Sequence, residues 1–150
     1  MRIREVSSEI DIAGSPEAVW EKLIDFEKFE EWNPFFHANE ASVDSKWRLV
    51  VRVWLFRGWS FSFRPQILSQ VPCSELSWTG HLFFPRLLKG VHYFLIKPTG
   101  QGKVRFTQRE EFSGILVFPL ALLGVLKALR RRYERVNVAL KDRVELCPRI

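Results

Sequence analysis

Cysteines, known catalytic motifs and long apolar runs are scarce in this chain of 150 residues. The two cysteines, Cys73 and Cys147, form neither a metal-type spacing nor a multi-bridge framework, so a reducing compartment is the simpler expectation. The N-terminal stretch MRIREVSSEI lacks the apolar run of a signal peptide, and we therefore expect a cytoplasmic protein. The GxSxG, HExxH, P-loop and dinucleotide-binding motifs are missing, so neither a cofactor nor a metal is expected.

The overall composition excludes disordered and fibrous classes. Hydrophobic residues make up 47% and charged residues 27% of the chain, close to the norm for globular proteins. No repeat or linker divides the sequence, and its length is typical of one domain, so a single domain over residues 1–150 is predicted. The aromatic content is high, at 14% with six Trp and thirteen Phe.

The positive charge is concentrated at one end of the sequence. After residue 126, eight Lys and Arg side chains stand against three carboxylates, which accounts for +5 of the total net charge of +6. A nucleic-acid-binding protein would spread its cations over a docking face and interleave them with aromatic residues. We therefore predict no nucleic-acid partner; the basic segment is either the solvated face of a helix or a surface for another partner.

The first third of the chain predicts a strand followed by two short helices. Alternating apolar residues from Val6 to Ile12 indicate a half-buried strand. Ser15 and Pro16 have the residue types expected at the N-cap and first position of a helix. Phe26, Phe29 and Trp32 then recur at helical spacing, and Pro34 ends this second helix.

The remainder predicts a sheet and one long helix. Between residues 46 and 112 the apolar period is two, with a turn at 98–102, which indicates antiparallel strands. One continuous helical stripe follows, made of Leu122, Leu126, Leu129, Tyr133, Val136, Leu140 and Val144. About seven strands and a terminal helix predict an α+β domain in which the sheet buries its apolar face against that helix.

Several segments together resemble the START-like, or SRPBCC, superfamily in its polyketide cyclase/dehydratase and lipid-transport branch. They are the first strand with SPEAVW (15–20), the segment from Asp25-Phe26 to Trp32-Asn33-Pro34-Phe35, LSWTG (76–80), GVHYF (90–94), QREEFSG (108–114) and NVALK (137–141). This resemblance covers nearly the whole chain. It is informative about the fold and much less so about chemistry, because the superfamily shares a cavity and not a reaction.

The resemblance implies a helix-grip fold, in which a curved seven-stranded antiparallel sheet wraps around the long C-terminal helix. The two short helices after the first strand would close one end of an apolar cavity. We expect ligand-binding residues from the short helices, the strands and the terminal helix: Trp32, Phe35, Trp78, His92, Phe94, Gln108, Glu110, Phe112, Leu122, Leu126, Tyr133 and Asn137. Each ring among them could equally be an ordinary core residue.

Polar residues interrupt the apolar face of the last strand. Gln108 and Glu110 share a face with Phe106 and Phe112, and a carboxylate there must be paired, hydrated or protonated. A three-residue hairpin loop would place His92 opposite Gln108, with Glu110 on the diagonal. We predict a polar cluster of His92, Gln108 and Glu110 that orients a ligand or, with Glu110 and His92 as acid and base, catalyses a reaction; a purely structural network is the alternative.

The uncharged run from Ile115 to Leu126 precedes Lys127 and three consecutive arginines. Its twelve residues are too few for a membrane span, so we expect it to line the core and cavity. Weak contact with an anionic membrane is the alternative.

These patterns lead to one preferred function and two alternatives. The preferred function is a carrier or sensor, monomeric or homodimeric, that encloses a lipid, polyketide or aromatic metabolite. The alternatives are a cyclase or dehydratase that uses Glu110 and His92, and a lipid-transfer module that contacts membranes.

Overall fold

The computed structural model describes residues 3–43, 46–56 and 59–146, with side-chain positions for all of them except 38–43, 46–49, 53–56, 59 and 61. Cys147 therefore lies outside the described residues, and Cys73 is a free, half-buried thiol.

Within the described residues, eight strands and four α-helices follow one another in an α+β order. The strands are β1 (Arg4–Ala13), β2 (Phe36–Val43), β3 (Lys46–Phe56), β4 (Trp59–Phe63), β5 (Gln66–Val71), β6 (Glu75–Leu82), β7 (Leu88–Gly100) and β8 (Lys103–Ser113). The helices are α1 (Pro16–Ile24), α2 (Phe29–Trp32), α3 (Val117–Leu122) and α4 (Val125–Glu145), with a 3₁₀ turn at Phe26–Lys28.

The strands form two antiparallel sheets, one of five strands in the order β1-β8-β7-β6-β5 and one of three in the order β2-β3-β4. Helix α4 packs against the five-stranded sheet and buries its apolar stripe there. The core between them contains Val6, Ile12, Phe94, Val104, Phe106, Tyr133, Val136 and Leu140. The α+β helix-grip prediction is confirmed, with eight strands in the described part of the chain where about seven were expected.

The first short helix begins, and the second ends, as their residue types predict; the second is preceded by the 3₁₀ turn, and its N-cap residue, Lys28, makes no side-chain cap. The Ser15 side chain accepts a hydrogen bond from the Ala18 N–H at 3.1 Å, and Pro16 opens α1. Phe29 is buried between Phe26 and Trp32, with ring centroids 5.3 and 5.2 Å away. After α2, the Oδ1 atom of Asn33 accepts hydrogen bonds from two backbone N–H groups, those of Phe35 and Phe36. This local turn fixes the position of both phenyl rings over the sheet.

The β7–β8 hairpin differs from the predicted three-residue loop. Gln101 and Gly102 both have positive φ, of 57° and 72°, as the two central residues of a type I′ turn require. A register shift between Pro98 and Gly100 restores the pairing of like faces. Because of this turn, His92 lies directly opposite Glu110, and Gln108 lies opposite Phe94. The predicted pairing of His92 with Gln108 was therefore wrong.

The predicted terminal helix is broken into α3 and α4. Gly124 adopts a left-handed conformation, with φ of 75°, which ends α3 and precedes the first residue of α4. Leu122 consequently stands on a separate short helix and is 73% exposed. Its predicted place on the cavity wall was wrong.

Candidate ligand cavity

A cavity of about 200 Å³ lies between the five-stranded sheet and α4. The sheet contributes Trp78, His92 and Glu110 to its wall, and α4 contributes Leu126 and Tyr133. Side chains that line the cavity and are also exposed mark its mouth: His81, Leu82 and Val125. The wall is almost entirely apolar, which is the usual character of a small-molecule site.

Phe36 is the central ring of the cavity wall. Its ring centroid lies 5.4 Å from that of His92, 6.1 Å from that of Trp78 and 6.3 Å from that of Tyr133. Edge-to-face and offset arrangements at these distances are favourable. Phe35 beside it also lines the cavity, and the Arg132 guanidinium lies 5.2 Å from its ring centroid. Partial burial, together with the nearby charge of Arg135, lowers the pKa of Arg132.

Three polar side chains meet on this apolar wall, and we call them the polar trio: His92, Glu110 and Tyr133. The His92 Nδ1 atom lies 3.3 Å from the Glu110 Oε2 atom, and the Tyr133 hydroxyl donates a hydrogen bond to the same oxygen. The His92 side chain is 2% exposed and that of Glu110 is 16% exposed. The carboxylate is thus held by a hydroxyl and an imidazole at the edge of a water-poor space.

The second ring nitrogen of His92 has no hydrogen-bond partner in the described part of the protein. This atom, Nε2, is buried. A neutral imidazole donates from one nitrogen and accepts at the other, and the carboxylate beside Nδ1 favours the proton on that atom. Nε2 is then an unused hydrogen-bond acceptor on a residue that lines the cavity.

Comparison of the sequence with known protein families gives a match over nearly the whole chain. Residues 4–145 match the family model described as polyketide cyclase / dehydrase and lipid transport. The chain belongs to this family. Membership places it among proteins of the hydrophobic-ligand-binding or polyketide-cyclase type, and it confirms the resemblance seen in the sequence.

Solved structures share the fold of this polyketide cyclase / lipid transport family member. A START superfamily protein from Mycobacterium smegmatis has 21% identity and a TM-score of 0.71, with 95% of this chain and 97% of that chain covered. The Zhui aromatase/cyclase of Streptomyces has 12% identity and a TM-score of 0.73, with 96% and 94% covered. A hypothetical protein from Helicobacter pylori has 18% identity and a TM-score of 0.77, with 95% and 88% covered. No curated protein matches the sequence.

The structure brings seven of the twelve predicted ligand-binding residues to the cavity: Phe35, Trp78, His92, Glu110, Phe112, Leu126 and Tyr133. The other five lie elsewhere. Trp32 packs against Phe29, and Phe94 is buried behind His92, with their ring centroids 4.3 Å apart. Leu122 is exposed, and Gln108 and Asn137 belong to a separate network.

That network joins the sheet to α4 away from the cavity. The Gln108 Nε2 group donates to Asn137 Oδ1 at 2.5 Å and to the Tyr133 carbonyl at 3.2 Å. The Asn137 side chain in turn donates to Ser8 Oγ at 3.0 Å. All of these side chains are buried. The predicted cluster of His92, Gln108 and Glu110 is thus corrected: Tyr133, and not Gln108, completes it.

Two glycines shape the cavity and were missed by the sequence analysis. A Cβ atom on Gly90 would lie 2.5 Å from Glu110 Oε1, and one on Gly80 would lie 2.8 Å from the Phe63 ring. Gly90 therefore leaves the space that the Glu110 carboxylate occupies. Their signal was present in the sequence, since Gly80 lies two residues from Trp78 and Gly90 two residues from His92, which places both glycines on the same inward face of the paired strands.

The apolar run 115–126 only partly follows its prediction. Val117 is buried, and Leu120 and Leu126 line the cavity, whereas Ile115 and Phe118 are exposed. Within residues 3–43, 46–56 and 59–146, no helix is long and apolar enough to cross a membrane. The same residues contain no group of three His, Cys, Asp or Glu side chains placed to hold a metal ion.

Proposed function

We propose that this protein binds a small apolar molecule with one hydroxyl or phenol group, as a carrier or sensor. The single observation that carries the proposal is the buried, unpartnered Nε2 atom of His92, a residue that lines the cavity. Buried polar atoms nearly always have partners, and a ligand hydroxyl would supply this one.

The polar trio sets the direction of the expected hydrogen bond. Glu110 accepts from Tyr133 and lies beside His92 Nδ1, so Nε2 is the acceptor and the ligand is the donor. The ring surfaces of Phe36 and Trp78 suit an aromatic ligand, because planar rings stack favourably on other rings.

The size of the cavity narrows the ligand class. Pockets for drug-sized molecules measure about 300–1,000 Å³, and this one measures about 200 Å³. One or two rings would fill it. A longer lipid or polyketide would extend through the mouth beside Leu82 and Val125.

A matched pair of probes tests the proposal. Naphthol and naphthalene differ by one hydroxyl, and we expect the protein to prefer naphthol by about 2- to 12-fold, the value of a hydrogen bond of about 0.5–1.5 kcal/mol. His92→Phe removes the acceptor and should abolish this preference in a fluorescence titration while naphthalene still binds. Equal affinities of the wild-type protein for both probes would refute the role of His92.

Glu110→Gln tests whether the carboxylate contributes to the preference for naphthol. Glu111→Gln, on the opposite face of β8, is its matched control. The first substitution removes the charge that favours the Nδ1 proton, so the naphthol preference should fall. The second should leave it unchanged. Native mass spectrometry of freshly purified protein would then identify any apolar compound that remains bound.

The trio also favours a second candidate, an enzyme of the cyclase or dehydratase type. An imidazole whose Nδ1 atom faces a carboxylate can act as a general base through its Nε2 atom, and Glu110 would stabilise the resulting imidazolium. Turnover of a polyketide-like substrate that Glu110→Gln abolishes without loss of binding would support the enzyme. Binding without conversion would favour the carrier.

A further inference from the structure

Exposed apolar side chains surround the cavity mouth. They come from the β6–β7 connection and from the segment around α3, which are joined by backbone hydrogen bonds from Ile115 N to Arg86 O and from Leu116 N to Leu87 O, at 3.0 and 3.1 Å. We name these side chains the mouth patch: Phe83, Phe84, Ile115, Phe118, Leu122 and Leu123. So much exposed apolar surface in one place is unusual for a soluble protein and marks an interaction site.

The backbone holds the most exposed ring outward. Phe83 has a φ of 59° and is 84% exposed. The N–H of Phe84 donates to the Leu82 carbonyl at 2.7 Å, which closes a tight turn around Phe83. Positive φ is strained for a bulky residue, and such strain concentrates at functional positions.

The sequence around the mouth patch is basic and contains no acid. From residue 76 to 109, and again from 112 to 133, there is no Asp or Glu. Arg86 lies within the first segment, and the exposed Lys127, Arg130 and Arg131 lie on the first two turns of α4. Arg130 pairs with Glu134, with 3.6 Å between Nε and Oε1, so the excess positive charge beside the patch comes from Arg86, Lys127 and Arg131. A second copy of the chain would bring like charges against these cations, so self-association through this face is disfavoured.

We propose that the mouth patch docks on an anionic lipid bilayer. Aromatic and aliphatic side chains beside exposed cations match the two components of such a surface, the acyl region and the charged headgroups. Leu82 and Val125 line the cavity and border the patch. Docking would therefore open the cavity directly into the bilayer, and an apolar ligand would transfer without crossing water.

Vesicle flotation with the full chain tests this proposal. The wild-type protein should float with vesicles of phosphatidylcholine and phosphatidylserine and not with vesicles of phosphatidylcholine alone. Raising the ionic strength from about 0.01 to about 0.15 M shortens the Debye length from about 30 to 8 Å, so binding should weaken.

The double variant Phe83→Asn/Phe118→Gln removes two rings, and Asn tolerates the positive φ of Phe83. Its partition coefficient on anionic vesicles should fall about tenfold or more. The control is Leu68→Gln/Val71→Gln, which removes two similarly exposed side chains from β5. Val71 pairs with Glu75 at the end of β6 remote from Leu82, roughly 23 Å away, so this control should bind like the wild type. Thermal melting would verify that both variants are folded.

Three results would overturn the proposal. The first is no flotation of the wild-type protein at low ionic strength. The second is equal binding by the ring variant and the wild type. The third is a dimer in sedimentation velocity that the ring variant dissociates, without any vesicle binding, since the patch would then be covered by a second copy.

Discussion

At the scale of single residues, the unpartnered nitrogen of His92 is the most informative atom. A buried polar atom without a hydrogen-bond partner lowers the free energy of unfolding by on the order of 1–3 kcal/mol. His92 Nε2 is such an atom in the described structure. An apolar residue of similar size would pack there without this cost. His92→Phe removes this cost but also removes the imidazole beside the Glu110 carboxylate, which keeps its hydrogen bond from Tyr133. The two effects oppose each other, and we expect the free energy of unfolding to change by less than about 1 kcal/mol.

Gly90 controls the position of the Glu110 carboxylate. In Gly90→Ala the new Cβ atom would displace Glu110 Oε1, which is the end of a flexible side chain, and the polar trio should separate. We expect a loss of naphthol preference similar to that of Glu110→Gln, with less than about 1 kcal/mol change in the free energy of unfolding. Probe titration and urea unfolding measure the two quantities.

A double-mutant comparison makes this prediction specific. In a Glu110→Gln background the trio is already impaired, so Gly90→Ala should have little further effect on probe binding. Additive losses would show that Gly90 acts on the ligand by another route.

At this scale, the sheet face on which each side chain lies was predictable from the sequence, but its partner on the neighbouring strand was not. The alternation of residues on β7 and β8 was enough to place His92 and Glu110 on the apolar face. Their direct opposition depends on a two-residue turn at Gln101-Gly102 and on a register shift beside Pro98, which the pattern PTGQG does not determine. Tyr133 could be assigned to the apolar stripe, but its contact with Glu110 joins residues 23 positions apart and needs the tertiary fold.

At the scale of elements, the break between α3 and α4 is set by one residue. The left-handed conformation of Gly124 costs other residues about 1–2 kcal/mol, and a Cβ atom there would meet nothing within 4 Å. Gly124→Ala should thus lower the free energy of unfolding by about 1 kcal/mol. Gly124→Asn, which tolerates this conformation, should lower it less. Equal stability of the wild type and the Ala variant in urea unfolding would contradict this account.

The break was not predicted because the apolar stripe runs through it without interruption. Leu122 and Leu126 are four residues apart, as on a continuous helix, and a single glycine within a helical pattern is normally tolerated. By contrast, Ser15-Pro16 and Asn33-Pro34 allowed the start of α1 and the end of α2 to be placed correctly, since capping and proline chemistry act locally.

At the scale of the whole molecule, buried polar contacts connect the first strand to the last helix. Asn137 on α4 donates to Ser8 on β1 and accepts from Gln108 on β8. Asn137→Ala would leave buried groups without partners and should lower the free energy of unfolding by about 1–3 kcal/mol. Val138→Ala, at the neighbouring exposed position, should change it by less than about 0.5 kcal/mol. Chemical denaturation of both variants provides the test, and similar losses would contradict this role of Asn137.

The overall architecture was largely predictable, because periodicity, turn residues and the family resemblance agree over almost the whole chain. The prediction of one domain over residues 1–150 is supported by the contacts of β1 with β8 and α4, and it stays a prediction. The cytoplasmic location and the monomeric or homodimeric state also stay predictions. Cavity volume could not be predicted, since it depends on how far the sheet and helix stand apart.

His92 of the polar trio lies four residues along β7 from Leu88, which pairs with Leu82 at the cavity mouth. The trio is therefore roughly 13 Å below the mouth. The ligand that we propose would therefore enter with its hydroxyl first, and a group attached to its opposite end would stay at the mouth. A fluorescent dye attached to the end of the ligand opposite the hydroxyl could report binding without entering the cavity. The same dye attached beside the hydroxyl would prevent binding.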